Sequence, residues 1–129
     1  RHNKTRFMVM SAISHTRRNR DHLQNAILAD EDVVIRDVTS AYAVLALSGP
    51  LSRAVLETLI DISLSDKDFP PYSLQQFYIG HAPVFAQRLS FTGEMGWEIF
   101  ITPDFAEYVF EVLYQAGQGY DLRLAGGEA

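Results

Sequence analysis

Arg88-Leu89-Ser90-Phe91-Thr92-Gly93-Glu94-Met95-Gly96-Trp97-Glu98-Ile99 is the stretch that decides how the chain is read. Its pattern is strand, tight turn, strand. Gln87, Leu89 and Phe91 alternate on the way in, and Trp97, Ile99 and Ile101 on the way out; such period-two alternation marks a half-buried strand. Gly93 and Gly96 allow backbone angles and close approaches that other residues resist. Between them stands one carboxylate, Glu94. Held at a rigid turn beside aromatic rings, it suits a planar ligand with an edge of N–H donors, because its two oxygens can accept in parallel. The alternative is a hairpin with a solvated glutamate at its tip, since turns readily hold polar residues.

Upstream of this stretch, residues 84–91 read as a long strand, preceded by a turn at Gly80-His81-Ala82-Pro83 and a short strand over 74–78. Residues 61–73 form a polar linker that Phe69-Pro70-Pro71 stiffens at its end. Gly49-Pro50 opens a helix, with proline at the first helical position where its missing N–H costs nothing. Leu51, Ala54, Val55, Thr58 and Leu59 give that helix its inner side. Residues 42–47 are apolar throughout, as in a strand buried on both faces. Residues 33–38 and 7–13 read as two further strands. Ser14 is placed to cap a helix over 15–28, whose apolar stripe is Leu23, Ala26 and Ile27. Downstream, Thr102-Pro103-Asp104 is a helix start. Phe105, Val109, Phe110, Val112 and Leu113 form that helix's apolar side, and Gly117 is its stop. The order strand, helix, strand, strand, helix is most of a split βαβ, ferredoxin-like unit. The expectation is therefore an α+β fold, a mixed or antiparallel sheet with about three helices, in a single domain over 1–129.

Composition agrees with a packed protein. Hydrophobic residues make up 47% and aromatics 12%, too many for a disordered chain. No apolar run approaches the ~20 residues that cross a bilayer as a helix, which argues against a membrane partner. The chain has no cysteine, which excludes disulfides, thiolate metal sites and a cysteine nucleophile. The four histidines, His2, His15, His22 and His81, show no metal-ligand spacing. Net charge is −5, but six of the eleven Lys and Arg residues fall within the first twenty positions, where there is no acid. Such an end could attract an anion or present a solvated helix face; nucleic-acid binding would call for interleaved aromatics, and only Phe7 is near. The polar opening and the ending at Leu124-Ala125-Gly126-Gly127-Glu128-Ala129 read as an internal piece of a longer protein. No targeting segment is recognisable.

Two stretches together carry a family resemblance. Ser90-Phe91-Thr92-Gly93-Glu94-Met95-Gly96-Trp97-Glu98 resembles the Y-T-G-E-x-G-[FW]-E signature of the aminomethyltransferases, the folate-dependent T-proteins of glycine cleavage. Asp37-Val38-Thr39-Ser40-Ala41-Tyr42-Ala43-Val44-Leu45-Ala46-Leu47-Ser48-Gly49-Pro50 is similar to the family's D-x-[ST]-x-x-x-[AG]-x-L-x-[LV]-x-G-P segment, in family order and at a family-like spacing. The same module forms the C-terminal part of dimethylglycine and sarcosine dehydrogenases, and Phe69-Pro70 resembles that branch.

The resemblance implies tetrahydrofolate as cofactor, with FAD in the parent protein only. It implies a small methylated amine as substrate and the rest of the parent chain, a flavin domain, as partner, in the cytoplasm or mitochondrial matrix. Glu94 then accepts hydrogen bonds from the pterin ring. Phe91 stands where the family has tyrosine, keeping the ring and losing the hydroxyl. Arg88 matches a basic residue common before the motif, with a surface pairing to Glu98 as the alternative. Met10 and Ser11 fall where the family's upstream strand passes the cofactor; Trp97 reads as core. The family's catalytic aspartate lies N-terminal to this stretch, so no catalytic residue is assigned and the isolated chain is expected to be inactive. Arg123, in Asp121-Leu122-Arg123-Leu124, imitates the family's L-R-L-E segment but lies upstream of its place, and takes no role. Two rival readings stay open: a non-catalytic folate-binding or regulatory module, and a basic-patch nucleic-acid-binding relative.

Overall fold

The computed structural model describes residues 4–89 and 93–126. The chain divides into two units, residues 1–38 and 39–129.

In the first unit, a 3-10 turn at Ile13–His15 runs into helix α1, Thr16–Asn25. The Thr16 hydroxyl donates to the Ile13 carbonyl at 3.0 Å. The cap is His15, with no side-chain capping bond, rather than the expected Ser14. The helix ends at Asn25, three residues short of expectation. Its termination is followed by a turn in which Glu31 accepts from the Leu28 N–H at 2.9 Å. Neither 7–13 nor 33–38 is a strand. Apolar, β-branched sequence makes a strand only where another strand supplies ladder bonds, and the described sheet is built of β-strands from residues 43–101 alone. None of the unit's described residues is buried.

The second unit is an antiparallel sheet with helices packed on one face. A 3-10 turn at Thr39–Ala41 leads to β1, Ala43–Ser48, and then α2, Ser52–Glu57. Strands β2, Leu74–Ile79, and β3, Ala82–Gln87, form a hairpin, followed by β4, Gly96–Ile101, and α3, Pro103–Gly117. The strand order is β1-β4-β3-β2, and every described pairing is antiparallel. This is the expected α+β class, with the sheet antiparallel rather than mixed. The chain enters at one edge, crosses by α2 to the opposite edge, and returns through β3 and β4.

Register puts Trp97, Ile99 and Ile101 of β4 on the same face as Ala82, Val84 and Ala86 of β3. Phe77 and Ile79 of β2 and Leu47 of β1 join them. Val55 and Leu56 of α2 and Val109 and Leu113 of α3 close over that face. β1 is an edge strand with Val44 half-exposed, not a strand buried on both sides. Its outward positions, Val44, Ala46 and Ser48, are exposed. On that face Phe85 and Phe100 stack at 4.6 Å, with Tyr42 edge-on to Phe85 at 5.2 Å. Gly80, at φ 57, turns the β2–β3 hairpin, and the His81 ring lies 4.1 Å from that of Tyr108.

Three local expectations are corrected. Residues 61–73 are less a linker than a wall of the core, for Leu64 and Phe69 are fully buried. On α2 the buried positions are Ser52, Val55 and Leu56, while Leu51 is exposed. On α3, Phe110 lies outside the core and stacks with Tyr114 at 6.1 Å.

Gly117 ends α3 for a different reason from the one expected. Its backbone is not left-handed; that conformation falls on Asp121, φ 53. A Cβ on Gly117 would lie 2.5 Å from Leu122 Cβ and Cδ1, so the missing side chain lets the returning chain close on the helix. Gly117→Ala is expected to cost about 1–3 kcal/mol, the usual range for forced overpacking. Gly119→Ala, whose Cβ meets nothing within 4 Å, is the control. Urea unfolding of the two variants measures the difference.

Candidate functional site

The two motif segments meet at one backbone oxygen. The Met95 carbonyl accepts from the Gly49 N–H at 2.8 Å and from the Ser52 hydroxyl at 3.1 Å. The same hydroxyl reaches the Gly49 carbonyl at 2.6 Å. Gly49 adopts φ 117, where L side chains are strained, and a Cβ there would face Glu94 Oε2 at 3.9 Å. The Gly-Pro turn after β1 therefore braces the turn that carries Glu94. Gly93, at φ 79, brings the chain round to it.

Glu94 is exposed, and it lines a groove of about 310 Å³ with Pro71, Tyr72, Arg88, Leu89, Gly93, Met95 and Gly96. The turn is wider than a tight hairpin: eight residues, 88–95, separate β3 from β4. Strand β3 stops at Gln87, short of the expected end, although the backbone of Arg88 still pairs with the segment ahead of β2. Tyr72 N–H donates to Arg88 O, and Arg88 N–H to Ser73 O, both at 3.0 Å.

The Arg88 guanidinium is buried. It donates to the Phe69 carbonyl at 2.7 Å and to Asp66 Oδ1 at 2.8 Å, and lies 6.0 Å from the Trp97 ring centre. Its ionic partner is thus Asp66 and not Glu98. Arg53 of α2 binds the same Asp66 oxygen. These two guanidinium hydrogen bonds, Arg53 first, hold the Asp66 carboxyl below its ordinary value of 3.8. Trp97 is fully buried, as expected of a core residue.

Of the expected site residues, Arg88 and Glu94 line one groove. Phe91 lies outside the described residues. Ser11 belongs to the first unit, on an exposed irregular segment ahead of the 3-10 turn. Sequence reading passed over Ser52, Asp66 and Tyr72. Ser52 left a faint signal, standing three residues beyond Gly49 in the Gly-Pro segment. Asp66 left none, being one acid among several in a polar stretch.

The comparisons agree with this architecture. The GCVT N-terminal domain matches residues 1–129, and the chain belongs to that family. Among its relatives, mitochondrial dimethylglycine dehydrogenase of Mus musculus is 38% identical over 67% of this chain and 10% of its own length. The aminomethyltransferase of Halothermothrix orenii is 36% identical over 66% of the chain and 23% of its own length. The chain therefore spans about a tenth to a quarter of these relatives. The heterotetrameric sarcosine oxidase of Corynebacterium sp. U-96 has a similar fold, with a TM-score of 0.66 and 26% identity. That match covers 82% of this chain and 52% of the oxidase chain. Among the described residues, no helix is long and apolar enough to cross a membrane.

Two outcomes are expected from the bracing contacts. Ser52→Ala is expected to lower stability by about 1 kcal/mol, the net worth of a typical hydrogen bond, measured by denaturant unfolding. Asp66 is ionised more readily when folded, so its stabilisation is present above its ordinary value and lost as pH falls through the lower folded value. The melting-temperature gap between wild type and Asp66→Asn is expected to be full at neutral pH and to close in acid below about 3.8.

Proposed function

We propose that this chain supplies the pterin-reading part of a tetrahydrofolate site in an enzyme that passes a one-carbon unit from a methylated amine to folate. The observation that carries the reading is Glu94: an exposed carboxylate with no described partner competing for it, on a turn braced by both motif segments, facing a groove. The groove's volume is at the lower end of the roughly 300–1,000 Å³ of small-molecule sites, enough for a bicyclic ring and not for a whole folate. The residues present therefore suit the ring, with the tail extending away.

When bound, tetrahydrofolate supplies the nitrogen that accepts the one-carbon unit. This chain's own part is to hold and orient. Glu94 accepts from the ring's N–H edge with two oxygens. Gly49, Ser52 and Met95 fix the turn on which it stands, and such prior positioning lowers the cost of reaching a reactive geometry. Arg88 acts on the groove from behind, its guanidinium holding the 66–69 wall.

Dimethylglycine dehydrogenase, sarcosine dehydrogenase and sarcosine oxidase among the similar proteins support a small N-methylated amine as the donor. They also support a flavin domain elsewhere in the parent protein as the partner and the site of FAD. The mitochondrial relatives support a matrix location, and the bacterial aminomethyltransferases a cytoplasmic one.

Calorimetric titration of tetrahydrofolate into the full-length protein tests the reading. Glu94→Ala is expected to weaken binding by about 1–3 kcal/mol, the range for a lost charge-assisted hydrogen bond. Binding of equal strength in wild type and variant would exclude the assignment of Glu94. Binding without any one-carbon transfer would favour a folate-binding module over an enzyme.

A further inference from the structure

Tyr72 occupies a position that backbone stereochemistry reserves for another residue. Pro70-Pro71-Tyr72-Ser73 is a β-turn closed by the Ser73 N–H donating to the Pro70 carbonyl at 3.2 Å. Pro71 is its second residue, and Tyr72, the third, has φ 64. This is a type II arrangement, in which proline suits the second position and glycine or asparagine the third, because a Cβ is strained at positive φ. The turn is held on both sides: Tyr72 N–H donates to the Arg88 carbonyl, and the Ser73 hydroxyl to the Pro70 carbonyl at 2.6 Å. The conformation is thus imposed, and a glycine would adopt it without strain.

A bulky side chain kept at such a position needs a compensating role. Packing within the unit does not provide one, since Tyr72 is 81% exposed. Its place does: Tyr72 lines the groove that Glu94 lines. The buried Arg88 guanidinium is committed to Asp66 and Phe69, so among the described residues that line the groove the exposed functional groups are one carboxylate and one phenol ring. A carboxylate fixes the edge of a planar heterocycle, and an aromatic face holds its plane.

We infer that Tyr72 is a further ligand-binding residue, whose ring stacks on the planar heterocycle that Glu94 grips by its edge. The inference rests on the folate reading above and adds to it the residue that holds the pterin plane. Neither of the two motif segments contains it.

The test uses the full-length protein as wild type, Tyr72→Gly, Tyr72→Phe and Glu94→Ala. Each is titrated with tetrahydrofolate and with 6-methyltetrahydropterin, a ring without the tail, and melted without ligand. Tyr72→Phe is expected to bind as wild type, because the stacking face is kept. Tyr72→Gly is expected to lose about tenfold or more in affinity for both ligands, as when an aromatic stacking partner is removed. It should melt at the same or a higher temperature, because the strain is relieved. Unchanged binding in Tyr72→Gly beside lost binding in Glu94→Ala would overturn the role of Tyr72 and leave the site reading standing. A lower melting temperature in Tyr72→Gly would show that the ring packs on protein, and would overturn it too. A loss confined to tetrahydrofolate would move the ring to the tail and overturn the pterin assignment. Absence of binding in the folded wild type would overturn both inferences.

Discussion

The carbonyl of Met95 is the point on which the site depends. It lies one residue beyond Glu94 and one before the central strand β4, and it accepts from both Gly49 and Ser52. A carbonyl oxygen has two lone pairs: the Gly49 N–H takes one, and the Ser52 hydroxyl, whose single proton is shared with the Gly49 carbonyl, approaches the other. The exposed carboxylate is thereby coupled to the rigid part of the fold through a single peptide unit. On one side is β4, whose Trp97, Ile99 and Ile101 lie in the core; on the other is the turn that ends β1 and begins α2. A loop this close to solvent would otherwise sample many conformations. Here its end is held by bonds that also close the neighbouring helix.

The charges around the groove divide into two kinds. Arg53 and Arg88 both pair with Asp66 and bind the wall at 66–69 to the sheet; Arg88 is buried and lies against the Trp97 ring. These groups are structural in effect even where they line the groove. Glu94 differs in facing outward, and its carboxylate remains available to a ligand. A basic residue close to a carboxylate in sequence invites the idea of a pair, but the fold separates their duties. The arginine is drawn inward by the Phe69 carbonyl, and the glutamate is left outside by the turn. Strain at Tyr72 belongs to the same pattern, with a rigid wall carrying exposed groups in fixed positions.

Local sequence determined a good deal. The hairpin at Gly80, the start of α3 at Thr102-Pro103 and the alternation of Trp97, Ile99 and Ile101 all follow from side-chain stereochemistry within a few residues. So does the glycine-flanked placement of Glu94, and the two motif segments identify the family. Only the tertiary structure decided that 7–13 and 33–38 are not strands, because a strand depends on a partner that its own letters do not specify. It alone made residues 61–73 part of the core, since Leu64 and Phe69 are isolated apolar residues without a period. It gave Gly117 its reason through the approach of Leu122, and turned Arg88 toward Asp66 rather than Glu98. It also joined Gly49 and Ser52 to Met95, a contact between positions 43 residues apart in the case of the serine. Propensity and capping act within one turn of chain, whereas hydrogen-bond partners and close approaches across the fold exist only once distant segments have packed.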